Sequence, residues 1–290
     1  MNHIREIIFL PEYAFLRQAF WVSALASLSF GIIGTFVVVR RIGYLAGAIS
    51  HCAFGGIGIG IFLQQTLIAA GLTTLASQLN PITTAVVFSV LSAFLIGAVQ
   101  SYAKEREDAV IGAVWAVGMA VGILFLDNTN GYHNVSAYLF GEILLISNPG
   151  VRAVALLGLA VLLIVGVLFK RFEAVCFDEE NMTLHGLSPR FYFQILLILV
   201  AVTVVLMIQL VGVILVIALL TLPAATAARL TNRLLSMTIV SSLLCFLYSW
   251  LGLYLSSLFN LAAAPVIIII AVLGYTAIVL NEFLFRKYRM

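Results

Sequence analysis

Apolar runs of about 20 residues or more recur along the whole 290-residue chain, and few folds can absorb that repetition. A helix of that length crosses a bilayer with every backbone group bonded within itself. A barrel would alternate polar and apolar positions in short segments, which this sequence does not do. Composition agrees: 63% of residues are hydrophobic, 9% are charged and mean hydropathy is +1.16. A soluble domain carries about 25% charge. The sequence therefore predicts an all-α polytopic membrane protein, with full spans near 14–39, 42–63, 82–100, 108–126, 152–169, 191–209, 212–230, 234–258 and 265–282. Ahead of the first span stand Arg5, Glu6, Pro11 and Glu12, unlike a cleavable signal peptide. That span is expected to stay, led by a short amphipathic segment at the interface. No soluble domain, linker or internal repeat interrupts the chain, so residues 1–290 read as one transmembrane domain.

Lysine and arginine concentrate on the cytoplasmic side of membrane proteins. Arg40 and Arg41 place the exit of the first span inside, and the uncharged loop 64–81 then goes outside. Lys104 and Arg106 lie inside, and 127–134, "DNTNGYHN", lies outside. The next apolar piece, 135–147, has about 13 residues and is too short to cross. It is expected to be a re-entrant helix, which is tolerated where protein or a water-filled cavity covers it. With that choice 12 of the 15 basic residues are cytoplasmic, all but Arg5, Arg17 and Arg152. The expected topology has nine crossings, an external N-terminus and a cytoplasmic C-terminus. The net charge of +3 then reports topology in a lipid bilayer and points to no nucleic-acid partner.

Some chemistry is excluded. Cys52, Cys176 and Cys245 are scattered, with no CxxC, and suggest neither a disulfide framework nor a zinc knuckle. The lysines are Lys104, Lys170 and Lys287, and none follows glycine, so no P-loop is present. No nucleophile constellation stands out, and the chain is not expected to be an enzyme.

One ionisable side chain is misplaced for a lipid-buried helix. Helical rise is about 1.5 Å per residue, so His51, ten positions past Arg41, lies about 15 Å into a core about 30 Å thick. Gly47, Gly55 and Gly58 share its face, and Gly43, Gly56 and Gly60 extend the small-residue character. The sequence thus shows a ring with no side-chain bulk above or below it. Two readings stay open: a glycine face for close helix packing, or space left for a hydrated ion with imidazole as ligand or gate. Glu142 is the one acid well inside an apolar segment, in the short helix expected to line a cavity. Asp127 and His133 lie in the external loop beside it, either as solvated loop residues or near the same path. His, Glu and Asp along one path suit a divalent transition metal.

Two further stretches stand out. In "FDEENMTLHGLSP", Asp178, Glu179 and Glu180 precede Met182 and Leu184, and Gly186 stops the run. Acids at the start and glycine at the end predict a short helix. Met182 and Leu184 on a polar loop suggest a docking knob, or two incidental apolar residues on a connector. In "LVGVILVIALLTLPAATAARL", Pro223 interrupts a helical run and predicts a kink, beside small residues that allow tight contact.

The stretches "VVVRRIGYLAGAISHCAFGGIGIG", "KEREDAVIGAVWAVGMAVGILFL", "AYLFGEILLIS", "FDEENMTLHGL" and "LVGVILVIALLTLPAATAARL" together resemble the ABC-type zinc/manganese/iron-chelate permeases. These are the integral membrane subunits of binding-protein-dependent metal importers. The resemblance runs from about 36 to 230 and implies a type II ABC importer-like permease. It implies a dimer with a second permease copy or paralogue, a separate ATP-binding subunit docked on 178–186, and an external solute-binding protein that delivers the metal. The setting it implies is the bacterial plasma membrane, with divalent metal as cargo and no permanently bound cofactor. "YLFGEIL" is similar to the family's YLFGDIL, so Glu142 is a conservative change. Gly47 departs from the family, which commonly has Asp there, four residues before the histidine. One carboxylate is missing, which leaves either a weaker, transient ligand at His51 or a site completed by Glu142 or the partner permease. An iron chelate as cargo and an ATP-independent carrier are the rival readings.

Overall fold

The computed structural model describes residues 14–102, 107–129, 141 and 148–287. The helices in chain order are α1 (Ala14–Val39), α2 (Gly43–Ala69), α3 (Thr73–Gln78), α4 (Pro81–Tyr102), α5 (Glu107–Asp127), α6 (Asn148–Phe177), α7 (Glu179–Leu184), α8 (Pro189–Val211), α9 (Val213–Leu230), α10 (Leu234–Phe259) and α11 (Ala263–Lys287). Among the described residues, nine of them are long and apolar enough to cross a membrane. The protein is an all-α, multi-pass membrane protein. The segment 135–147, expected as a re-entrant helix, lies outside the described residues apart from Gly141.

Two helices outrun their expected ends. The second span, expected over 42–63, continues to Ala69 because "FLQQTLIA" holds no breaker. Gly71 stops it at φ +80, with Gly71 N–H donating to Ile68 O (3.0 Å) and Leu72 N–H to Leu67 O (2.9 Å). This is the paired bonding of a glycine-ended helix. The expected loop 64–81 also contains α3. The fifth span, expected over 152–169, runs from Asn148 to Phe177, since "KRFEAVCF" contains good helix formers and Phe172 and Val175 find buried positions. Residues 170–177 of the expected cytoplasmic loop 170–190 thus continue the helix of the fifth span. Apolar length predicts where lipid lies, while breakers decide where a helix stops.

The described residues form two compact units, interleaved along the chain. One contains α1, α6 through Val167, and α9–α11. The other contains α2–α5, the rest of α6, α7, and α8 through Gln209. In the first unit, α1 is the most buried span, and α9 and α10 pack against it. Phe20 of α1 meets Trp250 of α10 with ring centroids 4.9 Å apart. Ala224 and Ala227 of α9 are fully buried beside Met237, under Val38 and Val39 of α1 and Val240 and Leu244 of α10. Pro223 sits buried inside α9, and the helix continues on both sides of it. Arg229 and Glu282 pair at 2.8 Å, which brings the C-terminal ends of α9 and α11 to the same level.

In the second unit, α2 is the central helix. Of its apolar window 78% is buried, against 22% for α5. Its neighbours are α5 and α4. A helix apolar all round is expected to sit inside a bundle or in lipid, and α2 does the first while α5 turns Val117, Ile123 and Leu124 outward.

Candidate functional site

Leu45 to Gly60 of α2 carries nearly all of that helix's buried residues, and His51 lies in the middle of them, 8% exposed. The glycine face around it is not vacant. A Cβ on Gly55 would lie 2.7 Å from Gly118 O, and one on Gly58 would lie 2.6 Å from Gly122 O, both on α5. The contact is reciprocal, because a Cβ on Gly118 would lie 2.7 Å from the His51 carbonyl carbon. The glycines let two helix backbones touch, which gains dispersion and weak Cα–H···O contacts that any side chain would forbid. Space for an ion beside Gly55 and Gly58, the more functional of the two sequence readings, is therefore filled by α5. The Cys52 thiol adds a tie across this seam, donating to Val114 O at 3.5 Å.

This geometry predicts a large stability effect from a small change. Gly55→Val places methyls against the backbone of α5, where no flexible side chain is able to yield. A loss of about 1–3 kcal/mol is expected, read as a lower unfolding temperature in detergent.

Gly47 is filled differently. In front of it stands the indole of Trp115, from the middle of α5. The same ring stacks on the His51 imidazole, with centroids 4.8 Å apart and planes at 28°. The sequence reading missed Trp115. One signal for it existed: tryptophan favours membrane interfaces, and this one sits mid-span.

Stacking covers a face of the imidazole and leaves its edges. His51 Nδ1 is buried and has no hydrogen-bond partner. A buried polar atom left so costs about 1–3 kcal/mol, and a bound ion is among its standard explanations. An imidazole nitrogen is also a metal ligand whose lone pair lies in the ring plane, clear of a stacked neighbour.

The other candidate ligands are not gathered with His51. Asp127 ends α5 and is exposed. It stands nine residues past Gly118, a rise of about 14 Å along the helix. Glu142 and His133 lie outside the described residues. Among the described residues no three His, Cys, Asp or Glu side chains converge. Gly141, just before Glu142, has φ +68, and its Cα rests on the backbone of Val211 and Gly212, so no other residue fits there.

The second candidate region is α7. Asp178 caps it, its carboxylate accepting from Asn181 N–H at 3.0 Å, and Glu179 and Glu180 occupy the first turn. Gly186, at φ +72, closes it: Gly186 N–H donates to Thr183 O (3.0 Å) and Leu187 N–H to Met182 O (2.9 Å). Met182 and Leu184 do not project together. Residues two apart on a helix face opposite ways, and Met182 is 3% exposed while Leu184 is 86% exposed. Met182 anchors the turn and Leu184 is its outward knob, with Phe177 and Phe191 also exposed. The flanking helices are tied where they meet the loop, since Arg171 of α6 donates to the Tyr192 hydroxyl of α8 and lies over its ring. Beside α7 runs an open groove of about 670 Å³, with Glu179, Glu180 and Arg190 on its walls.

A model of the ABC 3 transport family matches residues 12–282. A protein of Chlamydia trachomatis named "probable metal transport system membrane protein" is 34% identical over 246 residues, covering 84% of this chain and 81% of that one. The manganese transport system membrane protein MntC of Listeria innocua is 29% identical over 262 residues, covering 90% and 89%. Among solved structures, PsaBC from Streptococcus pneumoniae, determined with a Fab, superposes with a TM-score of 0.80 at 27% identity, covering 96% of this chain and 94% of that one.

Proposed function

The chain belongs to the ABC 3 transport family, and from that premise we propose that it is the membrane-spanning permease subunit of an ATP-driven importer of a divalent transition metal, manganese or zinc. The observation that carries the metal path is the His51 imidazole, mid-span and buried, with Nδ1 unpartnered. Buried ionisable groups within spans mark pathways. Conduction needs sites that hold cargo weakly enough to release it, and one imidazole with few partners meets that need. Glu142 or a second permease supplies further oxygen ligands in place of the carboxylate absent at Gly47. Asp127 and His133 belong to the external mouth of the path.

ATP is bound and hydrolysed by a separate cassette subunit, which docks on α7 through Leu184. An external solute-binding protein delivers the metal, and a second permease copy or paralogue completes the pair. The assembly lies in the bacterial plasma membrane, with this chain's N-terminus outside and its C-terminus in the cytoplasm. ATP binding moves α7, and the spans alternate between outward and inward access around His51. A bulkier chelate as cargo loses its support, because the room in front of Gly47 is taken by Trp115.

The test is uptake into proteoliposomes holding the permease, its cassette partner and its binding protein. Saturable, ATP-dependent uptake of manganese or zinc is expected. Uptake that proceeds without the cassette subunit indicates an ATP-independent carrier instead, and uptake of iron chelate alone indicates the other rival.

A further inference from the structure

The Trp115 indole does two things at once. It lies nearly parallel to the His51 imidazole, centroids 4.8 Å apart, and it fills the space one turn earlier on α2, where a Cβ on residue 47 would come within 2.5 Å of Cζ3 and 2.6 Å of Cη2. We propose that Trp115 is a positioning and specificity-determining residue of the metal path: it orients the His51 imidazole and bars a second ligand from helix position 47. This deepens the reading of His51 as a metal ligand and rests on it.

The chemistry runs through both contacts. A divalent metal on an imidazole edge makes the ring electron-poor, and the indole face is the best partner among side chains for positive charge. The stack therefore strengthens as metal arrives, while the Nδ1 lone pair, buried and unpartnered, lies in the ring plane and is not covered by the indole. Exclusion at position 47 removes an oxygen donor from the face His51 uses. Imidazole suits zinc, whereas carboxylate oxygen suits manganese. Gly47 and Trp115 act as a pair that shifts preference toward zinc.

Trp115 is partly buried, with one flank wedged against α2 at Gly47 and His51.

The test compares four variants in the reconstituted transporter, with zinc and manganese uptake measured in competition and folding checked by gel filtration and unfolding temperature. Trp115→Phe keeps an aromatic face and is expected to transport like the parent. Trp115→Leu keeps bulk without the face and is expected to raise the half-saturating zinc concentration about tenfold, with maximal rate changed far less. Gly47→Asp alone collides with the indole and is expected to lower folded yield. Gly47→Asp with Trp115→Ala is expected to recover folded protein and to shift the zinc-to-manganese ratio about tenfold toward manganese. A separate readout uses Trp21→Phe with Trp250→Phe, which leaves Trp115 as sole tryptophan: zinc is expected to change its emission saturably, and His51→Ala to abolish that change. Trp115→Leu transporting with the parent's affinity and ratio, or Gly47→Asp being tolerated beside Trp115, overturns the inference while His51 keeps its role. A folded parent transporter that moves neither metal overturns the underlying reading as well.

Discussion

Replacing Leu184 with aspartate is expected to abolish ATP-driven metal uptake while the permease stays folded. The helix α7 is closed at both ends and anchored in the middle. Its ends are closed by Asp178 and by the glycine turn at Gly186, and Met182 pins it at 3% exposure. A helix held that firmly presents Leu184, 86% exposed, as a preset knob with little ordering entropy left to lose on docking. Buried anchors at interfaces contribute about 2–4 kcal/mol each, so if the proposed cassette subunit docks on Leu184, a charge there is expected to weaken docking by roughly 30-fold to 1,000-fold. The folded permease loses nothing, since water already surrounds the side chain. The paired control is Met182→Asp, which puts a charge in a buried position and is expected to unfold the turn itself. Co-purification of the cassette subunit and coupled uptake measure both. A Leu184→Asp permease that still retains its cassette partner and transports at the parent's rate removes α7 from the docking surface.

His51→Ala is expected to lower transport without unfolding the protein. The variant loses the stack on Trp115 and leaves a cavity between α2 and α5, both of which cost stability, and it removes an unpartnered buried nitrogen, which returns some. Unfolding temperature is therefore read beside uptake. Removing outer-shell partners of metals typically costs 10–100-fold in affinity or activity, roughly the least to expect when the ligand itself is removed. His51→Phe sharpens the contrast, because it keeps a ring against Trp115 and lacks a ligand nitrogen. A purely structural histidine would be rescued by phenylalanine, and a ligand would not.

The nine spans among the described residues were legible because each apolar run is long enough that only a membrane helix absorbs it. Their ends were less so. Hydropathy falls at Leu63 and Phe169, yet α2 continues to Ala69, where the left-handed Gly71 follows, and α6 continues to Phe177, where Asp178 begins the cap of α7. The candidate site was half legible. His51 stood out by its depth, and the glycines stood out by their spacing. An absence of bulk on one helix does not say what arrives to fill it, and the partners are on α5: Gly118, Gly122 and above all Trp115, more than sixty residues along the chain. The same limit applied at α7, where composition marked Met182 and Leu184 alike and only the helix phase assigned one to the interior and the other to solvent.

In the proposed path, metal crosses the membrane in contact with the His51 imidazole. Zinc K-edge X-ray absorption on the assembled, zinc-loaded transporter tests this most directly. A nitrogen shell at about 2.0–2.1 Å with imidazole scattering is expected, lost in His51→Ala. An identical spectrum from parent and His51→Ala protein, at equal zinc loading, would contradict it.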